Sequence, residues 1–339
     1  MKIAVYGASG FTGGLAAAEA GRRGLSPVLV GRNAERLRKA AVDAAVADAE
    51  VRVAGLDDPA ALAAAFDGCD AVVNGAGPFA LWGEPVVRAA IAAGCHYVDT
   101  SGEQGYIRQI LDTVGPDAER AGVKVVPAMA DDGGPGDLIA HLTARELPNV
   151  SELLVVDARR PGAASRGTAR SMAAVHDTGP LEYADGTWRQ ATGGDSWMTV
   201  PGEAEAVALT PFALPGVVTV PRHVRAGLVR SGIRAEVARL FAALTPDVVD
   251  SVPEVLDEEA RSTNRWLMLV EAVDDAGTRA TGWVTGPDAY GLTAVIAVEG
   301  ARRLVTDGAP AGALTPAQAF DAADFLDALA PHGVTWQVI

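Results

Sequence analysis

The chain contains little cysteine, lysine or aromatic residue, and each shortage argues against a type of chemistry. Among its 339 residues, aromatic residues make up 5% and there are 2 cysteines. Cys69 and Cys95 provide neither a disulfide framework nor the four ligands of a structural zinc site. Lysine occurs only as Lys2, Lys39 and Lys124. None of these follows a tyrosine at the four-residue spacing of short-chain dehydrogenases, and lysine Schiff-base catalysis is equally disfavoured.

Positive net charge and long apolar runs are missing as well. The formal net charge is −15, which argues against binding to nucleic acids or to anionic membrane surfaces. Hydrophobic residues make up 49% of the chain, but no run reaches the roughly 18 residues of a membrane span. The first predicted strand starts almost at Met1, so we expect no signal peptide. These features predict a cytoplasmic protein with a large core and buried, reduced thiols.

Signatures of metal sites and of serine hydrolases are also absent. The 5 histidines show no metal-ligand spacing, and the sequence has no GxSxG element, so we expect neither a bound metal nor a serine nucleophile. His176, in the sequence HDTGP, is a candidate substrate contact in a loop. An ordinary surface histidine is the alternative interpretation.

The segment IAVYGASGFTG at residues 3–13 combines a short apolar strand with three glycines at three-residue spacing. A helix predicted over Leu15 to Arg23 and a strand over Pro27 to Val30 follow it. Such a turn lets backbone N–H groups and a helix N-terminus approach a pyrophosphate. An ordinary tight turn is the alternative. The expected cofactor contacts are Gly7, Ser9, Gly10, Phe11, Thr12 and Gly13.

The residues after the second strand favour NADP(H) over NAD(H). NAD-dependent enzymes usually place a carboxylate there to bind the ribose 2′-hydroxyl, whereas this chain has Arg32 and Asn33. Arginine pairs with a 2′-phosphate and asparagine donates to it. The alternative is that Arg32 only faces solvent at the start of a helix. Asp57 is a candidate contact of the adenine amino group, or else a helix cap.

Short apolar strands alternate with helices through the first third of the chain, which predicts a doubly wound parallel sheet. Ligands of such sheets bind beyond the carboxyl ends of the strands. Polar or glycine-rich loops follow the fourth and fifth predicted strands. The expected contacts there are Gly77, Pro78 and Phe79 at the nicotinamide, Asp99 and Glu103 as catalytic acids, and Ser101 at the substrate. A rigid loop for Pro78 and Phe79 and a capping box of Ser101 with Gln104 are the alternatives.

After residue 150 the predicted strands become longer and alternate in polarity, as in an antiparallel sheet. One of them is placed at Leu292–Val298. We therefore expect a dinucleotide-binding domain at 1–135 and a mostly antiparallel α+β domain at 136–310. Thr315 and Gln318 form a capping-box pattern that opens a helix to Leu329, and this helix, at 315–330, can pack back on the first domain.

Arginines crowd the segment RRPGAASRGTAR at 159–170 against the acidic background. Arg166 and Arg170 are candidates for a clamp on a substrate carboxylate or phosphate. Asp131, in the loop that leaves the first domain, is another candidate substrate contact. Salt bridges at a homodimer surface are the alternative explanation of the arginines.

Several motifs together resemble the saccharopine dehydrogenase-like NADP-binding family, including its reductase and trans-acting enoyl reductase branches. The motifs are GASGFTG at 7–13, GRNAERL at 31–37, NGAGPF at 74–79, HYVDTSGE at 96–103, ADDGGPGDL at 130–138 and YGLTAVIAVEGARRL at 290–304. The resemblance implies NADP(H), a Rossmann-type fold, and a second domain that shapes the substrate site and often forms a dimer. Where relatives often have serine after the aspartate, this chain has Asp132 followed by two glycines.

The sequence therefore predicts an NADPH-dependent reductase of an activated C=C or C=N bond in a small or carrier-bound metabolite. Because no catalytic lysine is available, we expect the proton to come from water or from a weak acid such as Glu103. An NADP(H)-binding redox sensor or scaffold without turnover is one alternative. An amino-acid dehydrogenase of the saccharopine type is the other.

Overall fold

The computed structural model describes residues 1–175 and 179–339, so His176 lies outside the described residues. The described chain divides into two compact domains. The first domain comprises Met1–Ser101, Gly105–Ala130 and Tyr290–Phe320, and the second comprises Gly102–Gln104, Asp131–Ala289 and Asp321–Ile339. None of the described helices combines the length and the apolarity needed to cross a lipid bilayer.

The elements are numbered in chain order. The strands are β1 (Lys2–Tyr6), β2 (Ser26–Gly31), β3 (Glu50–Val53), β4 (Ala71–Asn74), β5 (His96–Asp99), β6 (Lys124–Val126), β7 (Val150–Asp157), β8 (Leu181–Ala184), β9 (Thr187–Gln190), β10 (Ser196–Met198), β11 (Val207–Pro211), β12 (Ala226–Arg234), β13 (Arg265–Val273), β14 (Arg279–Pro287), β15 (Gly312–Ala313) and β16 (Thr335–Val338). The helices are α1 (Phe11–Arg22), α2 (Ala34–Asp43), α3 (Pro59–Ala64), α4 (Phe79–Ala92), α5 (Gln104–Thr113), α6 (Gly115–Ala121), α7 (Gly134–Ala144), α8 (Arg166–Val175), α9 (Gly216–Thr219), α10 (Ala235–Ala242), α11 (Pro246–Ser251), α12 (Glu258–Ser262), α13 (Ala289–Thr306), α14 (Pro316–Ala319) and α15 (Ala322–Ala328).

Within the described residues, the first domain is built on a seven-stranded sheet in the order β15-β6-β5-β4-β1-β2-β3. All neighbouring strands in it run parallel. All four residues of β4 are buried, as expected for a short apolar strand covered on both faces. The strand order reverses around β1, which places a ligand crevice at the carboxyl end of that strand. The structure confirms the expected doubly wound parallel sheet.

Within the described residues, the second domain is built on a nine-stranded mixed sheet. Its main path is β10-β11-β12-β7-β13-β14-β16, while β8 pairs with β12 and β9 with β8. Of these pairs, β12 with β7 is parallel and the others are antiparallel. Helix α7 packs on β13 and β14. The structure thus confirms the expected, mostly antiparallel α+β domain.

Two predicted elements near the end of the chain are wrong. The strand predicted at Leu292–Val298 lies inside α13, which belongs to the first domain rather than the second. Residues 292–301 of this helix are all buried, and a helix buried all round lacks the 3.6-residue periodicity that distinguishes it from a strand.

The single helix predicted from residue 315 is two helices, α14 in the first domain and α15 in the second. The backbone N–H of Thr315 donates to Gln318 Oε1 at 3.0 Å, as the capping-box pattern predicts. Asp321 then caps a new helix, because its Oδ1 accepts from the N–H of Asp324 at 2.9 Å.

Candidate functional site

The turn between β1 and α1 requires glycine at two positions for steric reasons. Gly7 has φ +76°, a conformation that glycine adopts without strain. Its N–H donates to the carbonyl oxygen of Val30 at 2.9 Å, and its own carbonyl accepts from Gly10 N–H at 2.8 Å. A Cβ on Gly13 would lie 2.3 Å from the Gly7 oxygen. The turn is therefore as tight as the glycine spacing predicts.

The N-terminus of α1 is open to an anion. Gly10 is its N-cap residue, no side chain of the described residues caps it, and its first turn carries no acidic residue. The first N–H groups of a helix have no intrahelical partner and attract phosphate. A Cβ on Gly10 would lie 3.2 Å from the Gly7 oxygen, a milder conflict than at Gly13. Ser9 and Thr12 are half-buried at this turn.

Phe11, another expected cofactor contact, packs within the first domain. Its ring centroid lies 5.1 Å from that of Tyr290, which begins the return of the chain to this domain. Its side chain therefore fixes α1 against α13. A contact between Phe11 and the cofactor stays a prediction.

The end of β2 presents an exposed cation. Arg32 is exposed, and its guanidinium carbon lies 6.0 Å from the ring centroid of Trp82. Among the described residues, no carboxylate forms an ion pair with Arg32. Asn33 caps α2, because its Oδ1 accepts from Arg36 N–H at 3.0 Å, and this cap does not use its amide donors. Asn33 is therefore the cap of α2. The Arg32 guanidinium, which is exposed and forms no ion pair with a described carboxylate, is accessible to an anion.

The carboxylates after β3 have separate roles. Asp58 caps α3 by accepting from Ala61 N–H at 2.9 Å. Asp57 is exposed and is not the cap, so the capping alternative applies to Asp58. A contact between Asp57 and adenine stays a prediction.

The loop after β4 is partly closed. Pro78 and Phe79 are buried, and the Phe79 ring centroid lies 5.8 Å from that of Tyr106. Gly77 is half-buried. This packing agrees with the alternative interpretation of Pro78 and Phe79 as a rigid loop. Of the three predicted nicotinamide contacts, only Gly77 is partly exposed to solvent.

Asp99, predicted as a catalytic acid, is fully buried at the end of β5. Its carboxylate accepts hydrogen bonds from Ser101 Oγ at 2.6 Å, Tyr106 Oη at 2.7 Å, Tyr97 Oη at 3.0 Å and the N–H of Ala128 at 3.0 Å. Burial raises the pKa of Asp99, while the Ser101 and Tyr106 donors oppose that rise. These hydrogen bonds anchor the ends of β5 and β6. The catalytic role of Asp99 and the substrate contact of Ser101 stay predictions.

Glu103 and Gln104 belong to the second domain. Glu103 is buried, and its Oε2 accepts from Gly102 N–H at 3.1 Å. The Gln104 side chain donates to the Leu214 carbonyl and accepts from Leu181 N–H, so it is not the partner of a capping box. The catalytic role of Glu103 stays a prediction.

A cluster of three aspartates and one arginine follows in the second domain. Arg159 Nε contacts Asp157 Oδ2 at 2.5 Å, and Arg159 Nη2 contacts Asp131 Oδ2 at 2.8 Å. Burial disfavours the charged guanidinium, but Asp157 and Asp131 outweigh this effect and raise the pKa of Arg159. Asp131, predicted to contact substrate, is thus held in an ion pair. Asp132 is the remaining carboxyl group.

Asp132 is half-buried, and among the described residues no side chain donates a hydrogen bond to it. Burial, followed by the charge of Asp131, raises its pKa to about 7, although Arg159 opposes the rise. A Cβ on Gly102 would lie 3.4 Å from Asp132 Oδ2, so glycine leaves space beside this carboxyl. Carboxyl groups with a pKa near neutrality serve as general acids. Sequence reasoning missed Asp132, although it adjoins Asp131 in the loop after β6.

A second buried network joins α7 to the turn after α9. Asp137 Oδ1 lies 2.8 Å from His223 Nε2, and His223 Nδ1 lies 3.3 Å from His141 Nδ1. Burial, followed by the neighbouring His223, lowers the pKa of His141. The spacing of Asp137 and His141 places them on one helix face and was the signal available in the sequence. The network fixes the 3-10 turn at Val220–Arg222 against α7.

Arg166 and Arg170, the predicted substrate clamp, form hydrogen bonds and ion pairs within the second domain. Arg166 Nε donates to the Val252 carbonyl at 2.7 Å, and its Nη1 lies 3.4 Å from Glu254 Oε1. Arg170 lies 3.7 Å from Asp250 Oδ1. Both arginines therefore bind α11 and the residues after it, and an anionic substrate would have to displace these partners.

Comparison with known families decides the identity of the first domain. The model of the saccharopine dehydrogenase NADP-binding domain matches residues 3–130. The first domain is therefore an NADP(H)-binding domain, and the open N-terminus of α1 and the exposed Arg32 fit a pyrophosphate and a 2′-phosphate.

Two curated relatives each match about two fifths of this chain. The lipid droplet localized protein of Caenorhabditis elegans is 35% identical over 146 residues, which are 40% of this chain and 34% of that protein. The trans-acting enoyl reductase of Mycobacterium ulcerans is 31% identical over 145 residues, which are 42% of this chain and 35% of that protein. The chain thus matches about a third of the length of each of these relatives.

Structural similarity extends over the whole chain. The apo saccharopine dehydrogenase (L-Glu forming) of Saccharomyces cerevisiae superposes with a TM-score of 0.64 at 14% identity, covering 100% of this chain and 99% of that one. At this identity the similarity establishes the fold and leaves the substrate open.

Proposed function

We propose that the chain is an NADPH-dependent oxidoreductase that reduces an activated C=C or C=N bond of a small or carrier-bound metabolite. The NADP-binding domain supports the cofactor. The observation that carries the proposal of turnover is the position of Asp132, a half-buried carboxyl beside Gly102 that accepts no hydrogen bond from any side chain of the described residues. Burial, followed by the charge of Asp131, raises its pKa. The matched trans-acting enoyl reductase supports a C=C substrate, and the shared saccharopine dehydrogenase fold leads us to retain C=N as the alternative.

Reduction of either bond needs a proton in addition to a hydride. The bound cofactor supplies the hydride. Burial and the neighbouring Asp131 favour the protonated form of Asp132, which can give its proton to the substrate atom that gains electron density. Its partial exposure lets solvent restore that proton. Asp131 and Asp157, both held by Arg159, supply negative charge that keeps the Asp132 proton bound.

A redox sensor or scaffold that binds NADP(H) without turnover is the competing function. Such a protein has no use for a proton donor, whereas holding Asp132 protonated opposes the normal preference of a carboxyl for ionisation. An amino-acid dehydrogenase of the saccharopine type would use the same carboxyl as a base. The direction of the reaction with an amino acid and NADP⁺ separates that alternative from a reductase.

The test follows NADPH oxidation with an α,β-unsaturated thioester and with an imine formed from a 2-oxo acid and an amine. We expect turnover of one of these probes, and Asp132→Asn should lower kcat/KM by roughly 10²- to 10⁴-fold without changing NADPH affinity. Asp247→Asn, an exposed aspartate in the same domain, is the control and should behave as the parent. NADPH binding without oxidation by any probe would contradict the proposal and favour the sensor.

We also propose that the protein acts on a small or carrier-bound substrate as a cytoplasmic homodimer. The acidic net charge supports the further expectation that it binds neither nucleic acid nor anionic membranes. Sedimentation of the full chain measures the oligomeric state, and a monomer at micromolar concentration would contradict the dimer.

A further inference from the structure

The first turn of α4 carries two exposed apolar side chains. Leu81 is 64% exposed and Trp82 is 37% exposed. Single exposed apolar residues are common on protein surfaces, but Trp82 is distinguished by its neighbour. The Arg32 guanidinium carbon lies 6.0 Å from the indole centroid, at the outer limit of a cation–π contact.

The topology of the first-domain sheet brings these two residues to the nucleotide site from opposite sides. β2 and β4 are the two neighbours of β1. Arg32 follows β2 directly, and Trp82 lies in the helix that follows β4, whereas the glycine turn follows β1. A Cβ on Gly75, in the loop after β4, would lie 3.1 Å from Gly13 N, so this loop approaches the start of α1. Arg32 and Trp82 therefore meet beside the turn that receives the pyrophosphate.

The N–H donors of the Arg32 guanidinium are accessible to a ligand. Within the described chain, no carboxylate forms an ion pair with this guanidinium. Burial raises the pKa of the neighbouring Tyr6, and the charge of Arg32 opposes that rise. A guanidinium placed over an aromatic face keeps its in-plane N–H groups directed outward, where they match the oxygens of a phosphate. Without the indole, an exposed arginine has many rotamers to lose on binding.

We propose that Trp82 is a specificity-determining residue of the NADP(H) site, which positions the Arg32 guanidinium for the 2′-phosphate. The inference depends on nucleotide binding and not on turnover. Sequence patterns attribute the preference for NADPH over NADH to the residues at the end of β2. The proposal assigns part of this preference to Trp82 on α4. Trp82 acts through Arg32 and is therefore a positioning residue.

The test compares NADPH with NADH, which differ only in the 2′-phosphate, by isothermal titration calorimetry. Trp82→Ala should weaken NADPH binding by roughly 3- to 30-fold and change NADH binding less than about 2-fold. Trp82→Phe keeps an aromatic face and should retain most of the affinity. In an Arg32→Ala background, Trp82→Ala should have no further effect on NADPH, as expected for two coupled residues.

Trp197→Ala is the matched control, because Trp197 is a 73% exposed tryptophan in the second domain, and it should leave both affinities unchanged. If Trp82→Ala weakened the binding of NADPH and NADH equally, Trp82 would contact a part of the nucleotide that both share, such as the adenine. That result would overturn the proposal. Unchanged NADPH affinity in that variant would also overturn it. Thermal unfolding of each variant confirms that folded proteins are compared.

Discussion

One carboxyl group ends β5 and another lies in the loop after β6, and their surroundings give them opposite properties. Asp99 is buried beside Ser101, Tyr106, Tyr97 and Ala128, which all donate hydrogen bonds to it. Asp132 lies beside other carboxylates, and none of the described side chains donates to it. Burial raises the pKa in both cases. Side-chain hydroxyl donors oppose this rise at Asp99, whereas at Asp132 the charge of Asp131 adds to it. A satisfied carboxyl holds the fold together, whereas an unsatisfied one remains available for proton transfer.

The largest expected difference between the two positions concerns stability. Asp99→Asn removes an acceptor from buried hydroxyl and N–H donors, and unpaired buried donors are costly. We expect the free energy of unfolding to fall by roughly 2–4 kcal/mol in urea titrations, with NADPH affinity retained in the folded fraction. An unchanged unfolding midpoint in Asp99→Asn would show that the network is not the anchor inferred from its geometry.

A smaller effect is expected from Arg159, whose charge lowers the pKa of Asp132. Arg159→Gln removes that charge and leaves Asp131 and Asp157 without their ion-pair partner. The alkaline limb of the pH–rate profile should therefore move to higher pH, by about one unit or less, because the pair is partly exposed and screened. The exposed Arg225→Gln is the control. A shift to lower pH would contradict the arrangement of charges.

Local chemistry made the first domain predictable. Glycine spacing, the capping residues and the short apolar strands each depend on neighbours within a few positions, so Gly7, Gly13 and β1 are where the sequence places them. The sequence of α13 predicts a strand wrongly, because a helix that is buried on all sides has no helical periodicity of apolar residues. Strand and helix boundaries elsewhere differ by a few residues, as at α1, which begins at Phe11 rather than Leu15.

Partners that are distant in sequence made the site less predictable. Ala128 donates to Asp99 from 29 residues away, and Arg166 finds Val252 at a separation of 86 residues. Whether a carboxylate or guanidinium is satisfied depends on such contacts. Sequence patterns therefore predict ligand-binding roles for Asp99 and Arg166, whose side chains form hydrogen bonds within the fold. They do not single out Asp132, which accepts no hydrogen bond from a described side chain.

The pH dependence of stability tests the central claim about Asp132 most directly. Because its pKa is raised in the folded state to about 7, from about 3.9 in the unfolded chain, the stability it contributes is present at low pH. That stability is lost as the pH rises through about 7. Relative to Asp132→Asn, the parent protein should lose roughly 1–3 kcal/mol between pH 4.5 and 7.5 and show no further relative change above that range. Parallel stability curves for the two proteins over this range would contradict the raised pKa and, with it, the role of Asp132 as the proton donor.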